Sequence, residues 1–289
     1  MPTAKTLALT LALVFAPLAA HAQLLIIGLD SKISFDKAGT VIFGPPGKDS
    51  VAIVDISSPE APKIVANLPL MNTIIGPPTN LAITPDGKRA LVVKFPGHRI
   101  GVLVVDGQKV TDTKHNMNVG LWPYNVDVTP DGAIALVADN GASGNSDGQV
   151  DTVSVIDIEA TPPRVTDKVV VGDSPEGLTI SPKGNLAATA LNRGTNVAWN
   201  SWFYNRNGSV VILKIDGKKV TKLDEVEVRG LPQAIAWSAD GKYLYVGNFI
   251  DGDMSILRVE ETKKGIRVVN TGKNFKLPGN PASMRGRNQ

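Results

Sequence analysis

Four stretches of this chain are copies of one another: Pro78–Gly87, Pro123–Gly132, Pro175–Gly184 and Pro232–Gly241. Each runs from a proline through two apolar residues set two apart to a Thr or Ser, and then to a turn ending in Gly. The apolar pairs are Leu81 and Ile83, Val126 and Val128, Leu178 and Ile180, and Ile235 and Trp237. Period-two spacing predicts a strand, and Pro-Asp-Gly chemistry predicts a chain reversal straight after it. Copies recur at a spacing of roughly 45 to 57 residues, the interval of a repeated supersecondary unit. A truncated fifth copy, Asn280–Arg285, lies near the C-terminus.

After each turn comes a second apolar segment: Ala90–Val93, Ile134–Ala138, Leu186–Ala190 and Tyr243–Gly247. A third follows a loop of variable length (Ile100–Val105, Thr152–Ile158, Ser209–Ile215, Met254–Val259), and a weaker fourth closes the unit. Four short strands per unit cannot bury both faces alone, so the units must stack, and the expected fold is an all-β propeller of about five four-stranded blades. A β-sandwich with chance repeats is the competing architecture. The N-terminal region lacks an opening strand. Leu24–Leu29 aligns with the second strands, Ser50–Ile56 with the third and Lys63–Leu68 with the fourth, leaving residues 31 to 48 as an inserted hairpin turning at Asp36–Gly39. The tail, Pro281–Arg285, is expected to supply the missing strand, so that the C-terminal strand joins the N-terminal blade and closes the ring.

Tyr245-Val-Gly-Asn248 is a near copy of the YVTN motif, with Gly in place of Thr, and Thr152–Asp157 has the form of that repeat's third strand. With the Pro-Asp-Gly turns, these segments make the chain resemble the YVTN-type β-propeller repeat family, secreted bacterial propellers of the cytochrome d1/lactonase-like group. The resemblance spans nearly all of the chain after residue 22. It implies a propeller and an extracytoplasmic site of action, and it makes a lactonase-like hydrolase the alternative to a binding module. Propellers of this group commonly have seven blades, so five is a departure.

Residues 1–22 read as a signal peptide. Lys5 precedes the apolar run Leu7–Phe15, which is too short to span a bilayer, and Ala20-His21-Ala22 offers a small-residue cleavage site. A single domain, residues 23–289, is expected in the periplasm or outside the cell, monomeric and without a membrane span. The chain has no cysteine, which excludes disulfides and thiolate chemistry. A formal charge of +3 spread along 289 residues gives no electrostatic footprint for nucleic acid.

The Asp-Gly turns are short and uniform, whereas the second-to-third loops are long and irregular and emerge on the opposite face. A scaffold presents a binding site in that way. The channel mouth on the variable face is expected to gather Asn80, Trp122, Tyr124, Asn125, Glu176, Gln233 and Ser283, joined by Lys94, Asn140, Asn192 and Asn248 from the second-strand ends. The loops add His98, Arg193, and the aromatics Trp199 and Trp202. This polar set suits a small polar ligand or a periplasmic protein, with no cofactor and no metal. Asp139–Gly148 carries oxygen ligands without the spacing of a calcium loop. The sequence lacks His-x-x-x-His and Gly-x-Ser-x-Gly. For the hydrolase alternative the available polar groups are Glu176, His98 and Arg193.

Overall fold

A computed structural model describes residues 23–29, 33–37, 40–43, 49–72, 81–94, 97–141, 145–263 and 265–279. The expectations for the signal peptide, Asn80, Ser283 and the closing strand Pro281–Arg285 lie outside these residues. Regular structure among them is entirely β. The first unit holds β1 (Leu24–Leu29), β2 (Ile33–Phe35), β3 (Val41–Phe43), β4 (Ser50–Asp55) and β5 (Lys63–Pro69). Strands β1, β4 and β5 form blade I, while β2 and β3 make the separate inserted hairpin. Blade II contains β6 (Leu81–Ile83), β7 (Arg89–Lys94), β8 (Arg99–Asp106) and β9 (Lys109–Asn118). Blade III contains β10 (Pro123–Val128), β11 (Ile134–Asp139), β12 (Asp151–Asp157) and β13 (Arg164–Gly172). Blade IV contains β14 (Pro175–Ile180), β15 (Leu186–Leu191), β16 (Ser209–Asp216) and β17 (Lys219–Glu227). Blade V contains β18 (Pro232–Trp237), β19 (Tyr243–Asn248), β20 (Asp253–Thr262) and β21 (Gly265–Lys276). Every pairing within a blade is antiparallel and follows chain order, with the innermost strands β6, β10, β14 and β18 neighbouring one another. This is the β-propeller expected from the repeat.

Alternation along each strand builds the core between blades. In β11, Ala135 and Val137 pack with Leu91, Ile100 and Val102 of blade II, while Ile134 and Leu136 pack with Leu178, Val211 and Leu213 of blade IV. In β15, Ala187 faces blade III and Leu186 and Ala188 face Leu244, Val246 and Leu257 of blade V. A sheet buried on both sides needs apolar residues at odd and even positions alike, so the second strands read as continuous apolar runs. Lysines tie the outer strands: Lys168 Nζ reaches Val119 O at 3.0 Å, and Lys222 Nζ reaches Val171 O at 2.9 Å.

The turns of blades II to V share one backbone plan. Gly87, Gly132, Gly184 and Gly241 lie at φ between 69° and 73°, which only glycine adopts freely. Each donates its N–H to the carbonyl of Thr84, Thr129, Ser181 or Ser238 at 2.8–2.9 Å. The same hydroxyls accept from the backbone N–H of Arg89, Ile134, Leu186 and Tyr243. That double use explains why the position is always Thr or Ser.

Candidate functional site at the channel mouth

The inner strands of blades III, IV and V begin in one strained way. The residues before the repeat prolines, Trp122, Ser174 and Leu231, have φ of 50°, 59° and 53°. Positive φ is uncommon for residues with side chains, and non-glycine strain of this kind is held only where surrounding bonds fix it. Here the carbonyls of Trp122, Ser174 and Leu231 accept from Asn140, Asn192 and Phe249 N–H at 2.9, 3.0 and 3.0 Å. Directly after each proline the ladder slips: between Pro123 and Asn125, Pro175 and Leu178, and Pro232 and Ala234. Bulges re-aim side chains, and these three release Tyr124, Glu176 and Gln233 from the regular ladder. Gly177 lets blades IV and V close up, because a Cβ there would lie 2.2 Å from Gln233 O.

Five of the expected site residues, Tyr124, Asn140, Glu176, Asn192 and Gln233, gather beside Ser174. Gln233 Nε2 donates to Glu176 Oε2 at 2.8 Å. Asn140 Nδ2 donates to Ser174 Oγ and Pro175 O, both at 3.1 Å, and Asn192 Nδ2 donates to Ser174 Oγ at 3.2 Å. Glu176 is 6% exposed, and burial pushes its carboxyl above the usual range, opposed by the amides of Gln233, Asn192 and Asn140. Tyr124 is pushed up to about 12, first by burial and then by the neighbouring Glu176 charge. None of these six side chains is cationic. The Oδ1 atoms of Asn140 and Asn192 are buried without a hydrogen-bond partner. Buried acceptors left unsatisfied are uncommon and costly, and a donor, from a ligand or from water, is what they lack.

The other expected residues do not join this group. The Lys94 ammonium pairs with Asp112 of β9 at 3.6 Å, in space that Gly101 leaves open. Asn248 donates to Asp253 Oδ1 and Ser255 Oγ at 2.8 and 2.9 Å inside blade V. Counted from the turn glycine, Lys94 and Asn248 share their position with Asp139 and Leu191, whereas Asn140 and Asn192 come one residue later. That one-residue offset turns them to different surroundings. Asn125 stands in the regular ladder opposite Ala138, half-buried. His98 Nδ1 accepts from Trp122 N–H at 2.9 Å, which uses a ring nitrogen to hold the strained backbone. Arg193 pairs with Glu225 at 3.4 Å and, with Trp202, lines a separate cleft, while Trp199 is 81% exposed on the same loop. Glu176, His98 and Arg193 are thus committed to three different environments. Ser174, the centre of the group, was not among the sequence candidates. Its signal was its place just before the repeat proline.

No family model matches the chain. No curated protein sequence matches it either. Solved structures do match. A protein from Bacteroides fragilis described as a candidate 6-phosphogluconolactonase aligns with a TM-score of 0.63 at 16% identity, covering 87% of this chain and 78% of its own. The periplasmic gluconolactonase PpgL of Pseudomonas aeruginosa aligns with a TM-score of 0.60 at 16% identity, covering 89% and 84%. A chain of a nidogen/laminin complex aligns with a TM-score of 0.52, also at 16% identity, covering 82% and 79%. The class these likenesses define is the β-propeller. At such identity they establish the fold alone, and that fold serves many activities.

Proposed function

We propose that this chain is an exported binding propeller that takes a small, uncharged, hydroxyl-bearing molecule at the channel mouth of blades III to V. The observation that carries this reading is the pair of buried, partnerless Asn140 and Asn192 carbonyl oxygens beside Glu176. Hydroxyl groups are the donors that such acceptors lack, and each also accepts in return. The absence of any cation among Tyr124, Asn140, Ser174, Glu176, Asn192 and Gln233 argues against phosphorylated ligands, since an added anion would meet a buried carboxyl with nothing to offset it. Export rests on residues 1–22, and protein recovered from the periplasm is expected to begin at Gln23.

A second reading is hydrolysis of a neutral lactone, as the name of the gluconolactonase PpgL has it; the Bacteroides fragilis neighbour is named for a phosphorylated lactone, which the cation-free lining does not suit. It is favoured by the Glu176 carboxyl, which burial pushes above the usual carboxylate range and which is the one acid-base group in the cluster able to pass a proton to or from a ligand. Calorimetry and a turnover assay with glucono-δ-lactone, on wild type and Glu176→Gln, separate the readings. Binding without turnover supports the binding module. Turnover that disappears in Glu176→Gln supports the hydrolase. If neither glucono-δ-lactone nor any neutral polyol binds, both readings fall.

A further inference from the structure

A second concavity opens on the variable-loop face, between blades III and IV, and the channel group does not use it. Its volume is about 300 Å³, at the lower end of the range for small-molecule sites. One wall is aromatic: Trp202, Phe203 and Tyr204. The rest is rich in planar polar groups, among them Asp173, Arg193, Asn205 and Glu225, with Leu191 as the aliphatic element. We propose that this cleft is a saccharide-binding site, with a sugar ring stacked on Trp202.

The aromatic loop is built to present that side chain. Ser146 Oγ accepts from Gly194 N–H at 2.7 Å, and Asn196 Oδ1 accepts from Ser146 N–H at 3.2 Å, stitching the loops of the two blades together. Tyr204 N–H donates to Ser201 O at 3.1 Å and Phe203 N–H to Ser201 Oγ at 3.2 Å. The Phe203 ring lies over Gly148, where a Cβ would come within 2.6 Å of it. Phe203 therefore anchors the loop, and its neighbour Trp202 is left 100% exposed. An indole held wholly in water contributes nothing to the core and keeps a large apolar face in solvent.

The polar groups supply the other half of sugar recognition. Arg193 has φ of 50°, held by its N–H bond to Asp173 O at 3.3 Å, and its guanidinium is turned to Glu225. Glu225 is fixed further by Ser209 Oγ at 2.8 Å and Lys222 Nζ at 2.9 Å. The cleft thus holds a guanidinium and a carboxylate whose orientations are set in advance, a donor and an acceptor of the kind that hydroxyls, which both donate and accept, can use. A lipid would call for aliphatic lining, and nucleic acid would be repelled by Asp173 and Glu225. The apolar C–H face of a pyranose meets the indole, and its equatorial hydroxyls reach the rim.

The test is a glycan array probed with the full mature chain, followed by calorimetry with the best-binding oligosaccharide. Wild type should bind a defined glycan, Trp202→Ala should weaken it at least tenfold, and Arg193→Ala should weaken it without changing Tm. Trp202→Ala removes a fully exposed side chain, so folding is not at stake. Glu176→Gln should leave glycan binding unchanged, which keeps this site's outcome separate from that of the channel. An array with no wild-type signal overturns the proposal, as does a glycan whose affinity ignores Trp202→Ala. So does a Trp202-dependent partner that proves to be a protein.

Discussion

Asp139 ends β11 with its carboxyl sealed inside blade III, 1% exposed. Its Oδ2 accepts from Thr152 Oγ1 at 2.8 Å and Ser154 Oγ at 2.7 Å, and its Oδ1 has no partner. Burial pushes its pKa from 3.8 up to about 6, against the pull of those hydroxyls. A shift of about two units corresponds to roughly 3 kcal/mol between protonation states. The folded value is the higher one, so folding takes up a proton between about pH 4 and pH 6. The favourable contribution is complete below the unfolded pKa and is lost as pH rises through about 6. Asp139→Asn carries no charge to bury at any pH, and blade V demonstrates the fit. There Asn248 occupies the equivalent position and donates to Ser255, the counterpart of Ser154. Weakened hydroxyl bonds should cost the variant about 1 kcal/mol. The net expectation is a gain of about 1–2 kcal/mol at pH 7.5, turning into a slight loss at pH 4. Urea denaturation followed by tryptophan fluorescence across that range measures both. A variant less stable than wild type at pH 7.5, or a difference that does not vary with pH, refutes the reasoning.

Packing between blades makes a second expectation. Leu136→Ala empties a fully buried site between blades III and IV and should cost about 2–5 kcal/mol, whereas Val104→Ala, 40% exposed in β8, should cost under about 1 kcal/mol by the same denaturation assay. The turns make a third. Asp86, Asp131 and Asp240 are held below the usual carboxylate range, first by the hydroxyls of Thr84, Thr129 and Ser238 and then by backbone N–H groups. Their stabilisation is present above the unfolded pKa and lost as pH falls through the folded value. Replacing all three by alanine should lower Tm by roughly 2–4 °C at pH 7, progressively less in acid, and leave ligand affinity at the channel unchanged.

The fold was legible because its grammar is local. A strand, a Thr/Ser-x-Asp-Gly turn and a doubly buried second strand each leave their own mark, and the spacing of copies turns those marks into blades. The alignment of Leu24–Leu29 with the second strands is matched by its pairing: β1 lies against β4 as β7 lies against β8. The site was legible only in part. Glu176, Gln233, Tyr124, Asn140 and Asn192 were marked by their distance from the proline or from the strand end. Lys94 and Asn248 were marked by the same rule, yet they turn inward to Asp112 and to Asp253 and Ser255. A one-residue offset turns a side chain to different surroundings, and it shows only when positions are counted from the turn glycine instead of from the apparent strand end. The bulge could not be read at all, since it depends on the left-handed backbone of Trp122, Ser174 and Leu231, none of which is a glycine.

That bulge also explains where chemistry can vary in this protein. The turns of blades II to V need a hydroxyl, a glycine and the same backbone hydrogen bonds, so those side chains are spent on folding. The second strands are equally constrained, because a neighbour packs on each side. Immediately after each proline the backbone is fixed by bonds that involve no side chain of the bulged residue: the pre-proline carbonyl binds an N–H at the end of the next strand. The side chain released there is free to be tyrosine in blade III, glutamic acid in blade IV and glutamine in blade V. Blades with one backbone plan thus deliver three different functional groups to one place. The strain at Trp122, Ser174 and Leu231 is therefore the means by which a repetitive scaffold presents a non-repetitive set of side chains.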